Sequence, residues 1–170
     1  MNLIVNGSFE DSKAGWTGTF TVDGCNPLYG DHAAILLPGP IRNARVAHVI
    51  PSLPEGSYEL TAYCATNILD QSIVTSSRDK RPNEFNKVTV GASVNGMTSK
   101  TFHASIRANN GYQKYTVPFT LFEAGAVEVW FYAPNAKTGG MQISPAYAII
   151  DVVTVSKGSV PGTKASSRSR

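Results

Sequence analysis

VEVWFYA, residues 127 to 133, alternates without a break: Val127, Val129 and Phe131 fall on one side, and Glu128, Trp130 and Tyr132 on the other. A period of two marks a half-buried β-strand, because successive side chains leave a strand on opposite faces. Other segments repeat it. SYELTAYCA (57–65) sets Tyr58, Leu60, Ala62 and Cys64 against Glu59, Thr61 and Tyr63. KVTVGASV (87–94) aligns Val88, Val90, Ala92 and Val94, and TFHASI (101–106) aligns Phe102, Ala104 and Ile106, with His103 opposite. KYTVPFTLF (114–122) aligns Tyr115, Val117, Phe119 and Leu121.

No stretch of helical length keeps apolar residues three and four apart. Turn-forming groups separate the strands at Pro54-Glu55-Gly56, Asn95-Gly96, Asn109-Asn110-Gly111 and Glu123-Ala124-Gly125. About eight to ten antiparallel strands in one domain predict an all-β, two-sheet sandwich or jelly roll. Composition agrees. Of 170 residues only 16% are charged, while Gly and Pro number 15 and 10, the usage of short strands joined by turns. A chain of this length buries about two-thirds of its unfolded surface and needs no disulfide or metal merely to hold a core.

The net charge of +3 is unevenly placed. Residues 157–170 (KGSVPGTKASSRSR) hold four of the fifteen basic residues and no acid, leaving eleven basic and twelve acidic residues in 1–156. The expected organisation is therefore a near-neutral domain over 1–156 and a disordered basic tail or linker over 157–170. A nucleic-acid role would rest on the tail alone, and none is expected. No apolar run approaches the roughly 20 residues that span a bilayer. The N-terminus lacks the cationic-then-apolar pattern of a signal peptide. Cys25 and Cys64 permit one disulfide without demanding it, and Cys25 sits in a turn-rich loop that an anchor would steady. Residues 66–86 (TNILDQSIVTSSRDKRPNEFN) lie between two clear strands, with only Ile73-Val74 as a short apolar patch. A loop of that length either lines a binding site or is a tolerated insertion.

The chain opens NGSFE (6–10), followed by Gly15-Trp16, and continues RVAHVIPSLPEGSYEL (45–60), GYQKYTVPF (111–119), VEVWF (127–131) and AIIDVVTV (148–155). In order and spacing, over roughly residues 2–156, these resemble carbohydrate-binding modules of the galactose-binding-like jelly-roll type, with His48 where a Gln is common. The resemblance implies terminal strands lying side by side with a structural calcium at their junction. It makes Glu10 and Asp151 carboxylate ligands, joined by the turn Tyr29-Gly30-Asp31-His32, with Asp31 counted in the metal set. Calcium takes six to eight hard oxygens, and an ion there would screen two acids that otherwise repel. The alternative is that Glu10 caps a turn and Asp151 is simply hydrogen-bonded. Asn6-Gly7-Ser8 is also a glycosylation sequon, meaningful only in a eukaryotic secretory pathway.

The resemblance implies polysaccharide or oligosaccharide as partner, a possible catalytic domain in a parent protein, and an extracellular or cell-surface location for a mature or excised module. Sugars present C–H faces and rings of hydroxyls, so a site wants a flat aromatic beside planar hydrogen-bonding groups. Parity nominates Trp130, Tyr132 and Glu128, then Tyr63, Arg45 and Asn43, provided that one sheet carries them all. Trp16 and His48 are expected in the core, and Tyr112 either packs or reaches the groove. No catalytic constellation is present: there is no Gly-x-Ser-x-Gly turn, His-Glu-x-x-His pair or phosphate loop. The expected function is non-catalytic carbohydrate binding. The alternatives are a lectin-like adhesion or assembly module that meets protein, and a jelly-roll glycan-active enzyme.

Overall fold

The computed structural model describes residues 1–24, 26–38, 42–66, 88–94, 101–106, 109–133, 137–138, 141–142 and 148–158. Cys25, the Asn95-Gly96 turn, nearly all of the 66–86 interval and the tail from 159 lie outside the described residues.

Twelve strands follow in order: β1 Thr17–Thr19, β2 Thr21–Asp23, β3 Ala33–Leu36, β4 Ala44–Leu53, β5 Gly56–Thr66, β6 Thr89–Val94, β7 Thr101–Ser105, β8 Asn109–Leu121, β9 Gly125–Ala133, β10 Lys137–Thr138, β11 Met141–Gln142 and β12 Ala148–Lys157. Ten of them form two five-stranded antiparallel sheets, β1-β4-β9-β6-β7 and β2-β3-β12-β5-β8, while β10 and β11 pair with each other. The expected all-β sandwich is the observed one. Among the described residues there is no helix, and so none long and apolar enough to cross a membrane.

The alternation read from sequence is the alternation of burial. In β5, Tyr58, Leu60, Ala62 and Cys64 are buried; in β9, Val127, Val129 and Phe131; in β6, Val90, Ala92 and Val94. These inner faces meet as one apolar core. His48 sits in it at 7% exposure, as expected, and its Nδ1–H donates to the Gly15 carbonyl at 2.7 Å. Trp16 is also buried, 4.9 Å from Phe9 and 5.1 Å from His48 between ring centroids. Such ring pairs contribute about 0.5–1.5 kcal/mol each beyond area burial, and here they fasten residues 9–16 to the core.

Three sequence expectations are corrected. Asn109-Asn110-Gly111 is not a turn but the start of β8, where Asn109 pairs with Thr66 across a register shift. The domain runs past 156: Lys157 pairs with Tyr58, and the Gly158 amide donates to Ser57 O at 2.8 Å, so sheet pairing overrides a tail-like composition. The chain start is not itself one of the strands. It lies along β12 by separate bonds, Leu3 N–H to Val155 O and Val153 N–H to Gly7 O, both 2.8 Å.

That docking coincides with an irregularity in β12. Its register against β5 shifts between Asp151 and Thr154, and Val152 adopts φ +50°. A β-branched residue in the left-handed region is strained, and a bulge there re-aims neighbouring side chains. β12 pairs with β3 only up to Ile150, and past the bulge the N-terminal segment takes β3's place. The sequon asparagine is committed to the same corner: Asn6 Nδ2 donates to Ser12 O and Ala14 O, and its Oδ1 accepts from Asp11 N.

Candidate functional site

Four of the six residues nominated for ligand binding come together on the outer face of the β1-β4-β9-β6-β7 sheet. Arg45, Glu128, Trp130 and Tyr132 line a shallow open cavity of ≈ 400 Å³, and Thr89, Ser93 and Thr101 complete its wall. The volume is within the usual range for a small-ligand site. Register places each piece. Trp130 lies opposite Ala47 of β4 and Gly91 of β6; Tyr132 lies opposite Arg45 and Thr89.

Gly91 decides how the tryptophan lies. A Cβ there would stand 2.4 Å from Trp130 Cζ2 and 2.8 Å from Cε2, closer than atoms approach. The indole therefore rests against the bare β6 backbone, half-buried there while it lines the cavity. Its Nε1–H donates to Ser93 Oγ at 2.9 Å, and that hydroxyl lies 3.2 Å from Thr101 Oγ1. Either of these two hydroxyls can be the donor to the other, since Ser93 Oγ keeps a lone pair after accepting from the indole.

On the other flank, Arg45 Nη2 pairs with Glu128 Oε1. Arg45 stands opposite Tyr132 and Glu128 opposite Val49, so the pair bridges alongside Trp130 and over Ala47. Ala47 has the outward parity yet is only 1% exposed, as a covered residue should be. Both partners are partly exposed, so the pair adds at most about 1 kcal/mol to stability and its main effect is on the shape and charge of the cavity.

Tyr63 is elsewhere. It sits on β5, opposite Lys114 and Asp151, and so belongs to the outward face of the other sheet. Parity tells which face of a strand a side chain takes, but sheet membership follows from pairing. Asn43 is exposed one residue before β4 and is not among the cavity's lining residues. Tyr112, left undecided from sequence, donates its hydroxyl proton to Asn26 O at 2.9 Å. Thr89, Ser93 and Thr101 were missed, because short hydroxyl side chains in strands carry no signature. Gly91 was the available signal, since a strand-interior glycine often marks close approach by another group.

A second recess, ≈ 390 Å³, lies where β5, β7 and β8 meet, with Tyr58, Phe102 and Phe119 among its lining residues. All three rings belong to the core packing, and Tyr58 and Phe119 stack at 5.5 Å.

The acids at the chain ends converge on one loop. Asp151, fully buried, accepts the amide protons of Leu28 and Tyr29 on Oδ2 (2.8 and 2.9 Å) and of Val152 on Oδ1 (2.7 Å). Glu10 accepts those of Asp31 and His32 at 2.9–3.0 Å. Gly30, at φ +67°, lets the loop close on Glu10; a Cβ there would lie 2.4 Å from its carboxyl carbon. Burial pushes the Asp151 carboxyl above the usual range, and nearby Glu10 adds to this, while the amides of Tyr29, Val152 and Leu28 pull the other way. The Asp31 and His32 amides hold Glu10 below it.

For a calcium ion, the chemistry fits in part: two carboxylates from opposite chain ends offer hard oxygens at one place. Asp31, however, meets Glu10 through its backbone N–H, and among the described residues no three His, Cys, Asp or Glu side chains group as a metal-holding set. The remaining oxygens would have to be backbone carbonyls or water. Cys64 is a free thiol, fully buried, and burial pushes its pKa up; its expected partner, Cys25, is outside the described residues.

No protein-family model matches the chain, and no curated protein matches it significantly. Solved structures do match its shape. TmCBM61 in complex with β-1,4-galactotriose superposes with a TM-score of 0.65 at 11% identity, over 93% of this chain and 99% of that one. A family 16 carbohydrate-binding module (module 2) gives 0.63 at 16%, over 92% and 100%. The enzymatically active domain of tailspike protein 4 from bacteriophage CBA120 gives 0.63 at 14%; there this chain covers 92% of itself but only 21% of the other. The shared property is the β-sandwich jelly-roll fold.

Proposed function

We propose that this chain is a non-catalytic carbohydrate-binding module that holds a polysaccharide or oligosaccharide on the outer face of the β1-β4-β9-β6-β7 sheet. The observation that carries the reading is the Trp130 indole, half-buried against Gly91 and lining an open cavity edged by an ion pair and hydroxyls. A flat aromatic face suits the C–H surface of a pyranose ring, and paired donors and acceptors suit its hydroxyls. Stacking supplies most of the affinity and the polar rim supplies orientation. Affinity is modest, because a shallow site competes with water for every hydroxyl. Two of the structural neighbours are carbohydrate-binding modules, one of them holding a galactotriose, which supports the reading at the level of a shared fold.

We also propose that calcium, when bound, sits between Glu10 and Asp151 and ties the chain ends together without taking part in ligand binding. The support is the convergence of two anionic side chains on the 28–32 loop.

A panel of neutral and acidic polysaccharides in affinity electrophoresis tests the main reading. Retention of the parent protein on at least one glycan, abolished by Trp130→Ala with the melting temperature nearly unchanged, is the expected outcome. Retention unaffected by that substitution removes the platform. An altered oligomeric state in its place would favour the adhesion-module reading.

A further inference from the structure

We infer that Glu128 sets the ligand class of this face: by holding Arg45 it keeps the platform for uncharged glycans and turns carboxylated ones away. The inference rests on the carbohydrate reading of the same site. Among the described residues lining the cavity, Arg45 is the one cation and Glu128 the one anion; the others are the aromatic side chains of Trp130 and Tyr132 and the hydroxyl side chains of Thr89, Ser93 and Thr101. A polyuronate needs a free cation for its carboxylate, by preference an arginine fork. Here one corner of that fork, Nη2, is already on Glu128 Oε1. An incoming carboxylate would have to displace Glu128 or share Arg45 with it, and either way it meets a like charge at close range.

A neutral sugar meets no such barrier. The pair spends one N–H of five and one carboxylate oxygen, so it still presents donors and acceptors side by side. Adjacent ring hydroxyls, each both donor and acceptor, can bridge them. Because the pair bridges alongside Trp130 over Ala47, those hydroxyls would belong to the ring stacked on the indole. Ser93 and Thr101 offer a second polar edge on the opposite flank.

The test measures affinity for neutral polymers (β-1,4-galactan, xylan, glucomannan) and for acidic ones (polygalacturonate, alginate) at low salt. The parent protein should be retained by at least one neutral polymer and by neither acidic one. Glu128→Gln frees Arg45 and should raise affinity for an acidic polymer at least tenfold, a gain lost in about 0.5 M salt, where screening is within a few ångströms. The gain should vanish when Arg45→Met is added, and Glu123→Gln, which removes an acid from the exposed β8–β9 turn, should not reproduce it. Strong parent retention on polygalacturonate or alginate overturns the inference alone, as does a Glu128→Gln protein with no gain. Retention of neither protein on any polymer overturns the carbohydrate reading and the inference with it.

Discussion

Replacing Asp151 with alanine removes an acceptor shared by three backbone amides, those of Leu28, Tyr29 and Val152. A buried donor left without a partner costs about 1–3 kcal/mol. Leu28 and Tyr29 are exposed enough to regain water, so their share falls at the low end, whereas Val152 sits at a strained bulge. Against this, the substitution relieves a desolvated carboxylate and its repulsion with Glu10, the two effects that push the Asp151 pKa up. The expected net loss at neutral pH, without added calcium, is about 3 kcal/mol. For a domain of this size that lowers the melting temperature by roughly 6–12 °C. Asp151→Asn keeps an oxygen for Leu28 and Tyr29 and should cost about 1 kcal/mol. Thermal denaturation followed by circular dichroism measures both. An Asp151→Ala protein melting within about 1 °C of the parent, where a several-fold larger shift is expected, would refute the reasoning. The same scans carry the calcium proposal: chelator should lower the parent's melting temperature and leave Asp151→Asn unmoved, and an indifferent parent would count against the ion.

Gly91→Ala would place a methyl 2.4 Å from the indole and 2.7 Å from Phe102 O, so it should lift Trp130 from the sheet and weaken glycan binding about fivefold, with no further loss in a Trp130→Ala background; isothermal titration reads both. Burial lowers the pKa of His48 from 6.5, so the unfolded chain takes up that proton first as pH falls. Its stability contribution is therefore complete above about pH 6.5 and is lost below it, with a slope of at most about 1.4 kcal/mol per pH unit. Denaturant titrations from pH 7.5 to 5 should show that slope in the parent, and His48→Gln should flatten it.

Much of the fold was legible because period-two alternation is a property of the strand itself. Residues 57–65, 88–94 and 127–133 bury the side chains that their parity assigns. What parity leaves open is which strands become neighbours. That is why parity groups Tyr63 with Trp130 although β5 and β9 lie in different sheets. Asn109-Asn110-Gly111 misled for a related reason: its turn chemistry is local, and pairing with β5 outweighed it. At the site, the large groups announced themselves and the small ones that position them did not. Trp130 owes its attitude to a side chain that Gly91 lacks and to a Ser93 hydroxyl. The resemblance places Glu10 and Asp151 near one another, and both accept amides of the 28–32 loop. The amides that compensate their charge, and the strained Val152 that aims Asp151, follow from backbone geometry that no residue pattern spells out.

The two tryptophans give the most direct test of where a glycan lands. In a ¹H–¹⁵N spectrum, the Trp130 indole N–H reports from the cavity and the Trp16 indole N–H, bonded to Asn6 O at 2.9 Å in the core, serves as internal reference. Titration with a retained oligosaccharide should move the Trp130 signal with a saturating curve and leave Trp16 in place. A bound sugar that shifts neither indole would contradict the account.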